Sequence, residues 1–227
     1  MSKRRWSYLC LYAKDSTSGV LKVLTARKNQ FSHWFDTDAE NVAKGDRVLN
    51  LKHGQFKVYP RQINGHYFAF YPERNGYPLE NGAGEACIVG GEVKASNLLE
   101  NVEERMKANA VEEFWEETGF HIDSITFLHD HFYLAKGKPF GIYFVEVSAE
   151  QLEAVATQIS HNYNIVKTVD IPRVRALDLS IEPTVWSNEI ASVEIMAIDD
   201  ALSMFRAMEP SIADWFVEGL ESVVRFS

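Results

Sequence analysis

One apolar stripe strongly limits how this 227-residue chain can fold. Apolar residues recur at every fourth position in a single segment, at Leu98, Val102, Met106, Ala110 and Phe114. This spacing places them on one face of an α-helix, and Gly119 is a natural residue to end it. The pattern predicts a helix over Leu98–Thr118, with Asn97 as a weak N-cap, whose stripe packs against another layer of structure.

Strand-like segments lie on both sides of the predicted helix. The first two, Trp6–Ala13 and Val20–Lys28, flank a turn rich in Ser, Thr, Asp and Gly, as in a hairpin. Other strands are predicted at Ala86–Val93, Ser124–Leu134, Gly141–Val147 and Glu189–Ile198, and other helices at Ala149–Ser160, Asp199–Met208 and Ser211–Val224. Because strands and helices are interspersed without a repeat or a low-complexity linker, the sequence predicts a single α/β layered domain over residues 1–227.

An insertion at about residues 29–85 interrupts this order. Within it, Asn64-Gly65 supplies the two positive φ angles of a type I′ turn, which predicts a hairpin, and Pro60 favours an edge strand. The span Lys44–Arg74 holds six basic residues against two acidic ones. Two interpretations stay open: a solvated segment that balances surface charge, or a lid that contributes cations to a phosphate-bearing ligand.

Composition and charge exclude several classes of protein. No segment approaches the ~18 apolar residues that a membrane span needs, so we expect a cytoplasmic protein with no membrane partner. The net charge of −9 argues against a general nucleic-acid binder, although it permits a small anionic substrate. Cys10 and Cys87 have no metal-binding spacing and are expected to be buried thiols.

Three glutamates share one face of the predicted helix. Glu113, Glu116 and Glu117 stand at positions i, i+3 and i+4, and each like-charge pair costs only about 0.2–0.5 kcal/mol on an exposed helix. A solvated face is therefore one interpretation. Convergent carboxylates can also bind Mg²⁺, and Gly90-Gly91, after a buried strand, would allow close backbone approach to such a site.

The sequence "EEFWEETGF" after "ACIVGGEV" resembles the Nudix box. The residues that fit the second half of that motif in order are Glu113, Phe114, Glu116, Glu117, Gly119 and Phe120. The resemblance implies a Nudix-like α/β/α sandwich around a mixed β-sheet. It also implies Mg²⁺- or Mn²⁺-dependent hydrolysis of a diphosphate linkage in a small-molecule nucleotide, in which a cation activates the water that attacks phosphorus.

Carried over by position, the resemblance assigns roles to particular residues. Glu113, Glu116, Glu117 and the Gly91 carbonyl would be metal ligands, and Glu104 would be an accessory acid. Catalytic roles fall on Glu116 and Glu117, with Glu189 as a distal candidate for the base. Arg27, at the end of a strand, could contact phosphate. The alternatives are a surface residue at a strand start for Glu189 and a surface ion pair for Arg27.

Two departures from the Nudix pattern leave the function open. The interval from Gly91 to Gly119 is seven residues longer than in the Nudix pattern. Counting back from Glu113 makes Glu104 the first glutamate of the box, whereas counting forward from Gly91 gives Asn97, which is not a glutamate. Glu112 replaces the box arginine, which removes a clamp on the metal-binding glutamates. The alternatives are therefore an active hydrolase, a Nudix-like nucleotide-binding module without turnover, and an unrelated α/β protein. Oligomeric state stays open, and the aromatic insertion could serve as a homodimer interface.

Overall fold

The computed structural model describes residues 5–29, 31–32, 34–36, 48–51, 54–57, 59–63, 66–70, 77–78, 84–93, 101–168, 189–208 and 213–226. The strands are β1 (Trp6–Lys14), β2 (Leu21–Lys28), β3 (Phe31–Ser32), β4 (Trp34–Asp36), β5 (Val48–Leu51), β6 (Gly54–Lys57), β7 (Tyr59–Ile63), β8 (His66–Phe70), β9 (Tyr77–Pro78), β10 (Ala86–Cys87), β11 (Val89–Glu92), β12 (His129–Leu134), β13 (Phe140–Glu146) and β14 (Ile190–Ala197). The helices are α1 (Val102–Thr118), α2 (Ala149–Thr168), α3 (Ile198–Arg206) and α4 (Ala213–Phe226).

A seven-stranded mixed sheet forms the centre of the described structure. Its main path runs β10-β2-β1-β13-β12, with β11 paired to β1 and β14 paired to β2. Strands β1 and β13 are parallel, from Trp6↔Phe140 to Tyr12↔Glu146, and the other pairs are antiparallel. The predicted α/β class with a mixed sheet is confirmed.

Strands β1 and β2 separate after a short paired stretch. They pair only near their connecting turn, at Tyr12↔Val23, Ala13↔Lys22 and Lys14↔Leu21. Farther along, the chain at 86–92 fills the gap, because β10 pairs with β2 through Cys87↔Ala26 and β11 pairs with β1 through Leu9↔Val89. Gly90 and Gly91 therefore lie in the sheet where its two first strands have diverged.

Helices cover both faces of the sheet. A Cβ added to Gly141 would meet the Met106 side chain of α1, whereas Ile142 lies against Gly219 of α4. Because successive residues of a strand point to opposite faces, α1 and α4 lie on opposite sides. Helix α2 packs with α1, and α3 packs with α4. The result is an α/β/α sandwich, as predicted.

The predicted apolar stripe of α1 faces the core. Met106, Ala110 and Phe114 are all buried, and each fully buried large side chain stabilises the fold by about 1.5–3 kcal/mol. The helix begins at Val102, where the Asn101 side chain accepts a hydrogen bond of 2.9 Å from the Glu103 N–H. The predicted start at Leu98, with Asn97 as N-cap, lies outside the described residues. Gly119, with a φ of 69°, ends the helix as predicted.

Two element boundaries differ from the predictions by five residues or more. Helix α2 continues to Thr168, past Ser160, because the buried stripe of Val155 and Ile159 extends to Tyr163. Strand β12 begins at His129 rather than Ser124. The Ser124 hydroxyl donates a 2.6 Å hydrogen bond to the His121 carbonyl within a short 3-10 helix, which occupies the start of the predicted strand.

The predicted hairpin in the insertion is confirmed by its two arms. Strands β7 and β8 pair antiparallel up to Ile63↔His66, and the turn residues Asn64 and Gly65 lie outside the described residues. In the three-stranded order β4-β8-β7, β7 is an outer strand, which fits Pro60. The choice between a solvated segment and a cationic lid depends on side chains outside the described part of the chain.

Two further expectations concern burial and membrane contact. Both Cys10 and Cys87 are buried free thiols, as predicted. Burial raises the pKa of Cys87 to about 12, so this thiol is inert at neutral pH. In the part of the chain that the structure describes, every helix is too short or too polar to cross a bilayer.

Candidate active site

The C-terminal end of α1 is fixed in place by side chains of α2. The last carbonyls of a helix lack partners within the helix. Here the Tyr163 hydroxyl donates to the Glu117 carbonyl at 3.1 Å, and the Asn162 side-chain amide donates to the Thr118 carbonyl at 3.0 Å. Near the middle of α1, buried Asn109 donates to the Ser7 hydroxyl of β1 at 3.1 Å. These bonds hold the glutamates of α1 in a set position over the sheet.

The two glycines of β11, Gly90 and Gly91, let neighbouring groups approach the backbone of this strand closely. Gly90 has a φ of 151°, and a Cβ there would overlap the Ser7 carbonyl oxygen and the Tyr8 Cα. Only glycine fits such a position without strain. At Gly91 a Cβ would overlap the carboxylate of Glu113. The Glu113 carboxylate therefore lies directly against the backbone of β11, as the predicted use of this glycine pair requires.

Glu117 is the most deeply buried carboxylate of the region, with 8% of its surface exposed. Burial raises the pKa of Glu117 to about 8, and the charges of Glu189 and Glu113 act in the same direction. Lys28 and a hydrogen bond from the Gly90 backbone oppose this rise. One carboxylate oxygen, Oε2, is buried without a hydrogen-bond partner. An ionised, unpartnered oxygen in such a place is unfavourable unless a cation or a proton reaches it.

A third acidic residue of this region, Glu189, lies outside α1. It directly precedes β14, and the Asn29 N–H donates to its carbonyl at 2.8 Å. Its side chain is half-buried and acts electrostatically on Glu117. Glu113 and Glu189 both carry charges that raise the pKa of Glu117, and we call these three residues the carboxylate cluster.

A lysine that the sequence analysis did not single out belongs to the same region. Lys28 ends β2 opposite Ile190, and its N–H donates to the Glu85 carbonyl at 2.9 Å. Burial lowers the pKa of the Lys28 ammonium, but the anionic groups around it, first Glu117 and also Glu189, raise that pKa more. Lys28 is therefore a permanent positive charge beside the carboxylate cluster.

Lys28 could have been found only with knowledge of which face of β2 points inward. Alternation along a strand places Arg27 and Lys28 on opposite faces. Residues Val23 to Ala26 are all buried, so hydrophobicity does not mark one face as the inner one. The sequence analysis chose Arg27. In the structure Arg27 is exposed and its guanidinium donates to the Gly84 carbonyl at 2.9 Å, so a contact with phosphate remains a prediction.

Glu104 lies apart from the carboxylate cluster, and its role as an accessory acid stays a prediction. It is exposed in the first turn of α1, nine residues before Glu113. On an ideal helix nine residues correspond to about 14 Å along the axis and a rotation of about 180°, so the two carboxylates point away from each other. Because α1 begins at Val102, Glu104, the residue assigned as the first glutamate of the Nudix box, lies within the helix. The structure does not bring Glu104 to the carboxylate cluster.

Glu116 and Glu112 lie on the sides of α1 next to the cluster. Both are half-buried, and Glu116 is about 60° around the helix from Glu113. Its assignment as a ligand and catalytic residue stays a prediction. Arg105, two turns before Glu112, has a buried Nε without a hydrogen-bond partner and lies too far along the helix to clamp the cluster.

The cluster has the donor chemistry of a site for a hard divalent cation. Carboxylate oxygens are the ligands that Mg²⁺ prefers, Glu117 offers a buried oxygen without a partner, and the Glu113 carboxylate lies against Gly91. As the side chains stand, the described residues include no group of three or more His, Cys, Asp or Glu that could hold a metal ion. The residues match a cation in donor type, and the described side chains are not arranged as a three-ligand site.

Comparisons with known proteins find structural matches at low sequence identity. No protein-family model matches the chain. No curated protein matches it either. Among solved structures, a mutT/nudix family protein from Listeria innocua matches 99% of this chain and 94% of its own, with 15% identity and a TM-score of 0.44.

Two further matches are structures of the T. brucei MERS1 protein. Its apo form matches 66% of this chain with 12% identity and a TM-score of 0.29. The MERS1-RNA complex matches 90% with 14% identity and a TM-score of 0.35, and the chain spans 40% and 55% of these two structures. Similarities at this level do not carry a function, which therefore has to be inferred from the carboxylate cluster.

Proposed function

We propose that this chain is a metal-dependent hydrolase of the Nudix type that cleaves a diphosphate linkage in a nucleotide derivative. The observation that supports this most is the approach of the Glu113 carboxylate to Gly91, beside buried Glu117, whose pKa the charges of Glu189 and Glu113 raise. These residues come from a helix, a strand and a distant strand start, and a solvated helix face would not require that convergence.

The residues of the cluster divide the tasks of such a reaction. Glu113 and Glu117, with the Gly91 carbonyl and Glu116, would hold Mg²⁺ or Mn²⁺ against the sheet. When bound, the cation neutralises the diphosphate and lowers the pKa of the attacking water. Glu189 would accept the proton of that water, since its charge acts on Glu117 from outside α1. Arg27, at the exposed end of β2, would bind a phosphate group.

A second candidate is a nucleotide-binding module without turnover. Two observations favour it: an acidic residue, Glu112, stands in place of the box arginine, and Lys28 already neutralises part of the cluster. In this case the pocket would still recognise a diphosphate, while the weakened metal site would not support hydrolysis.

A product assay separates the two candidates. Wild-type protein is incubated with nucleotide sugars, dinucleotides and nucleoside triphosphates in the presence of Mg²⁺ or Mn²⁺, and phosphate and nucleotide products are quantified. We expect turnover of at least one class and a loss of about 10²-fold or more in Glu117→Gln. Glu103→Gln is the matched control, because Glu103 is an exposed residue of the same helix that pairs with Lys107 at 3.0 Å.

The negative outcomes have distinct meanings. No product from any substrate, together with a nucleotide-induced rise in melting temperature, would favour the binding module. Neither turnover nor any effect of metal or nucleotide on stability would leave an unrelated α/β protein with a solvated glutamate face. The panel should include a short RNA, and binding of that RNA would overturn the expectation from net charge that nucleic acid is not a partner.

A further inference from the structure

Helix α1 crosses a row of three small residues in the sheet. Ser7 of β1 lies opposite Gly91 of β11 on one side and opposite Gly141 of β13 on the other. The two glycines face α1, because a Cβ added to Gly91 would meet the Glu113 carboxylate and one added to Gly141 would meet the end of Met106. Small side chains along this row let the helix lie close to the three strands.

Three residues of α1 match this row. Met106, Asn109 and Glu113 stand at positions i, i+3 and i+7 and share one side of the helix. They lie, in that order, over β13, β1 and β11. The rises between them, about 4.5 and 6 Å along the helix axis, are close to the ~4.8 Å between neighbouring strands. The position of the helix on the sheet therefore decides whether Glu113 reaches Gly91.

The central contact of the three is a buried polar pair. The Asn109 side-chain amide donates to the Ser7 hydroxyl at 3.1 Å, and both residues are fully buried. A hydrogen bond has a preferred length and direction, whereas an apolar contact is non-directional. An apolar pair of the same shape would be about as stable, since a buried hydrogen bond adds little net free energy. What this pair adds is a defined position of α1.

The pair lies next to the approach of Glu113 to the sheet. Glu113 follows Asn109 by one helical turn, about 6 Å along the axis, and Gly91 lies directly opposite Ser7. The hydrogen bond and the carboxylate–glycine contact thus join α1 to neighbouring strands at adjacent points. Because ligand groups must be held to within about 0.5 Å, a small slide of α1 would be enough to spoil a cation site at Glu113.

We propose that Asn109, through its hydrogen bond to Ser7, is the positioning residue that fixes α1 on the sheet with the Glu113 carboxylate against Gly91. The importance of this position for a cation rests on the proposed function, whereas the position itself does not. Asn109 acts through the helix and does not touch the cation. An apolar pair in its place would keep the fold and release Glu113 from Gly91.

A double variant separates position from stability. Asn109→Leu with Ser7→Ala keeps the branching of the longer side chain and removes both polar partners, so we expect a melting temperature close to that of wild type. Each single variant should melt at a lower temperature, because it removes one partner of a buried pair. In a crystal structure of the double variant, the Glu113 carboxylate should lie about 1 Å or more farther from Gly91. Calorimetric titration without substrate should show about tenfold weaker Mn²⁺ binding.

Ser222→Ala is the matched control. The buried Ser222 hydroxyl donates to the Gly219 carbonyl within α4, on the opposite side of the sheet from α1. Its loss should lower the melting temperature and leave Mn²⁺ affinity within about twofold of wild type. If the double variant does not fold, Ser7→Ala alone takes its place in the crystal and in the titration.

The possible results decide between position and stability. A double variant whose Glu113 still lies against Gly91 would overturn the proposal, and so would Mn²⁺ affinity equal to that of a wild type that binds the ion. An equal loss of affinity in Ser222→Ala would show that stability alone controls binding. A displaced Glu113 in the double variant, with no Mn²⁺ binding by wild type, would contradict the proposed function and leave the role of Asn109 intact.

Discussion

At the scale of single residues, the site depends on a carboxylate that is unfavourable where it stands. Burial dominates the environment of Glu117, so its protonated form is favoured up to a pKa of about 8. A protein retains such a group where function needs it, since stability alone would select an uncharged side chain. The glutamate face of α1 therefore differs from an ordinary solvated face at this one position.

The pH dependence of stability should reveal this group. Because the pKa of Glu117 is raised from its usual value near 4.5 to about 8 in the folded protein, its ionisation destabilises the fold increasingly as pH rises between these values. We expect Glu117→Gln to stabilise the metal-free protein by on the order of 2 kcal/mol at about pH 9 and by little at about pH 4.5. Urea unfolding at both pH values measures the difference.

The control for this prediction is an exposed glutamate of the same helix. Glu103→Gln loses one surface ion pair, with Lys107, and should change stability by less than about 0.5 kcal/mol at either pH. A Glu117→Gln variant that is less stable than wild type at about pH 9 would contradict the environment described for this carboxylate.

The sequence predicted some residues of the cluster and missed others for physical reasons. Helical spacing placed Glu113 and Glu117 on one side of α1, and the Nudix resemblance directed attention to Glu189. Lys28 was missed because both faces of β2 are buried. Glu104 was assigned by counting along the chain, and counting does not reveal where a helix begins or which way its first turn faces.

At the scale of elements, the diverging strands β1 and β2 create the position of the site. The chain at 86–92 enters the gap between them, and its two glycines let α1 approach the sheet. Strand and helix types were predictable from periodicity. The divergence of β1 and β2 was not, because it results from pairing with a segment about sixty residues farther along the chain.

Adjacent glycine substitutions should have different effects. Gly90→Ala places a Cβ against fixed backbone atoms at a positive φ, and we expect it to destabilise the protein by about 3 kcal/mol. Gly91→Ala meets only the carboxylate end of Glu113, which can rotate away, so its cost should stay below about 1 kcal/mol. Mn²⁺ affinity should nevertheless fall in Gly91→Ala, because the displaced carboxylate leaves the cluster.

Urea unfolding and Mn²⁺ titration of the two variants check this pair. Equal losses of stability would contradict the different contacts described for the two glycines. Unchanged Mn²⁺ affinity in a folded Gly91→Ala protein would mean that Glu113 does not contribute to a cation site.

The contact between α1 and α2 should also be measurable. Tyr163→Phe removes the hydroxyl that donates to the Glu117 carbonyl, and a buried carbonyl without its donor costs about 1–3 kcal/mol. Tyr133→Phe is the matched control, since the Tyr133 hydroxyl donates to exposed Glu218 at 2.8 Å and its loss should cost little. Equal unfolding free energies for the two variants would show that α2 does not fix the end of α1.

At the scale of the whole molecule, the cluster is assembled from distant parts of the sequence. The cluster and its neighbours, Lys28 and the Gly90-Gly91 pair, belong to α1, the end of β2, strand β11 and the residue before β14, which meet only when the sheet is complete. The α/β class could be predicted because each layer has its own periodicity. The contact between the ends of α1, β2 and β14 could not be predicted from the sequence, because it depends on strand order and register.

In the proposed function, Glu113, Glu117 and Gly91 form a divalent-cation site for diphosphate hydrolysis. The most direct measurement is anomalous diffraction from crystals soaked in Mn²⁺ with a non-hydrolysable nucleoside diphosphate. We predict an anomalous peak bounded by the Gly91 carbonyl and the carboxylates of Glu113 and Glu117, with the diphosphate against it. An empty cluster at high Mn²⁺, in crystals whose cluster is open to solvent, would contradict the claim.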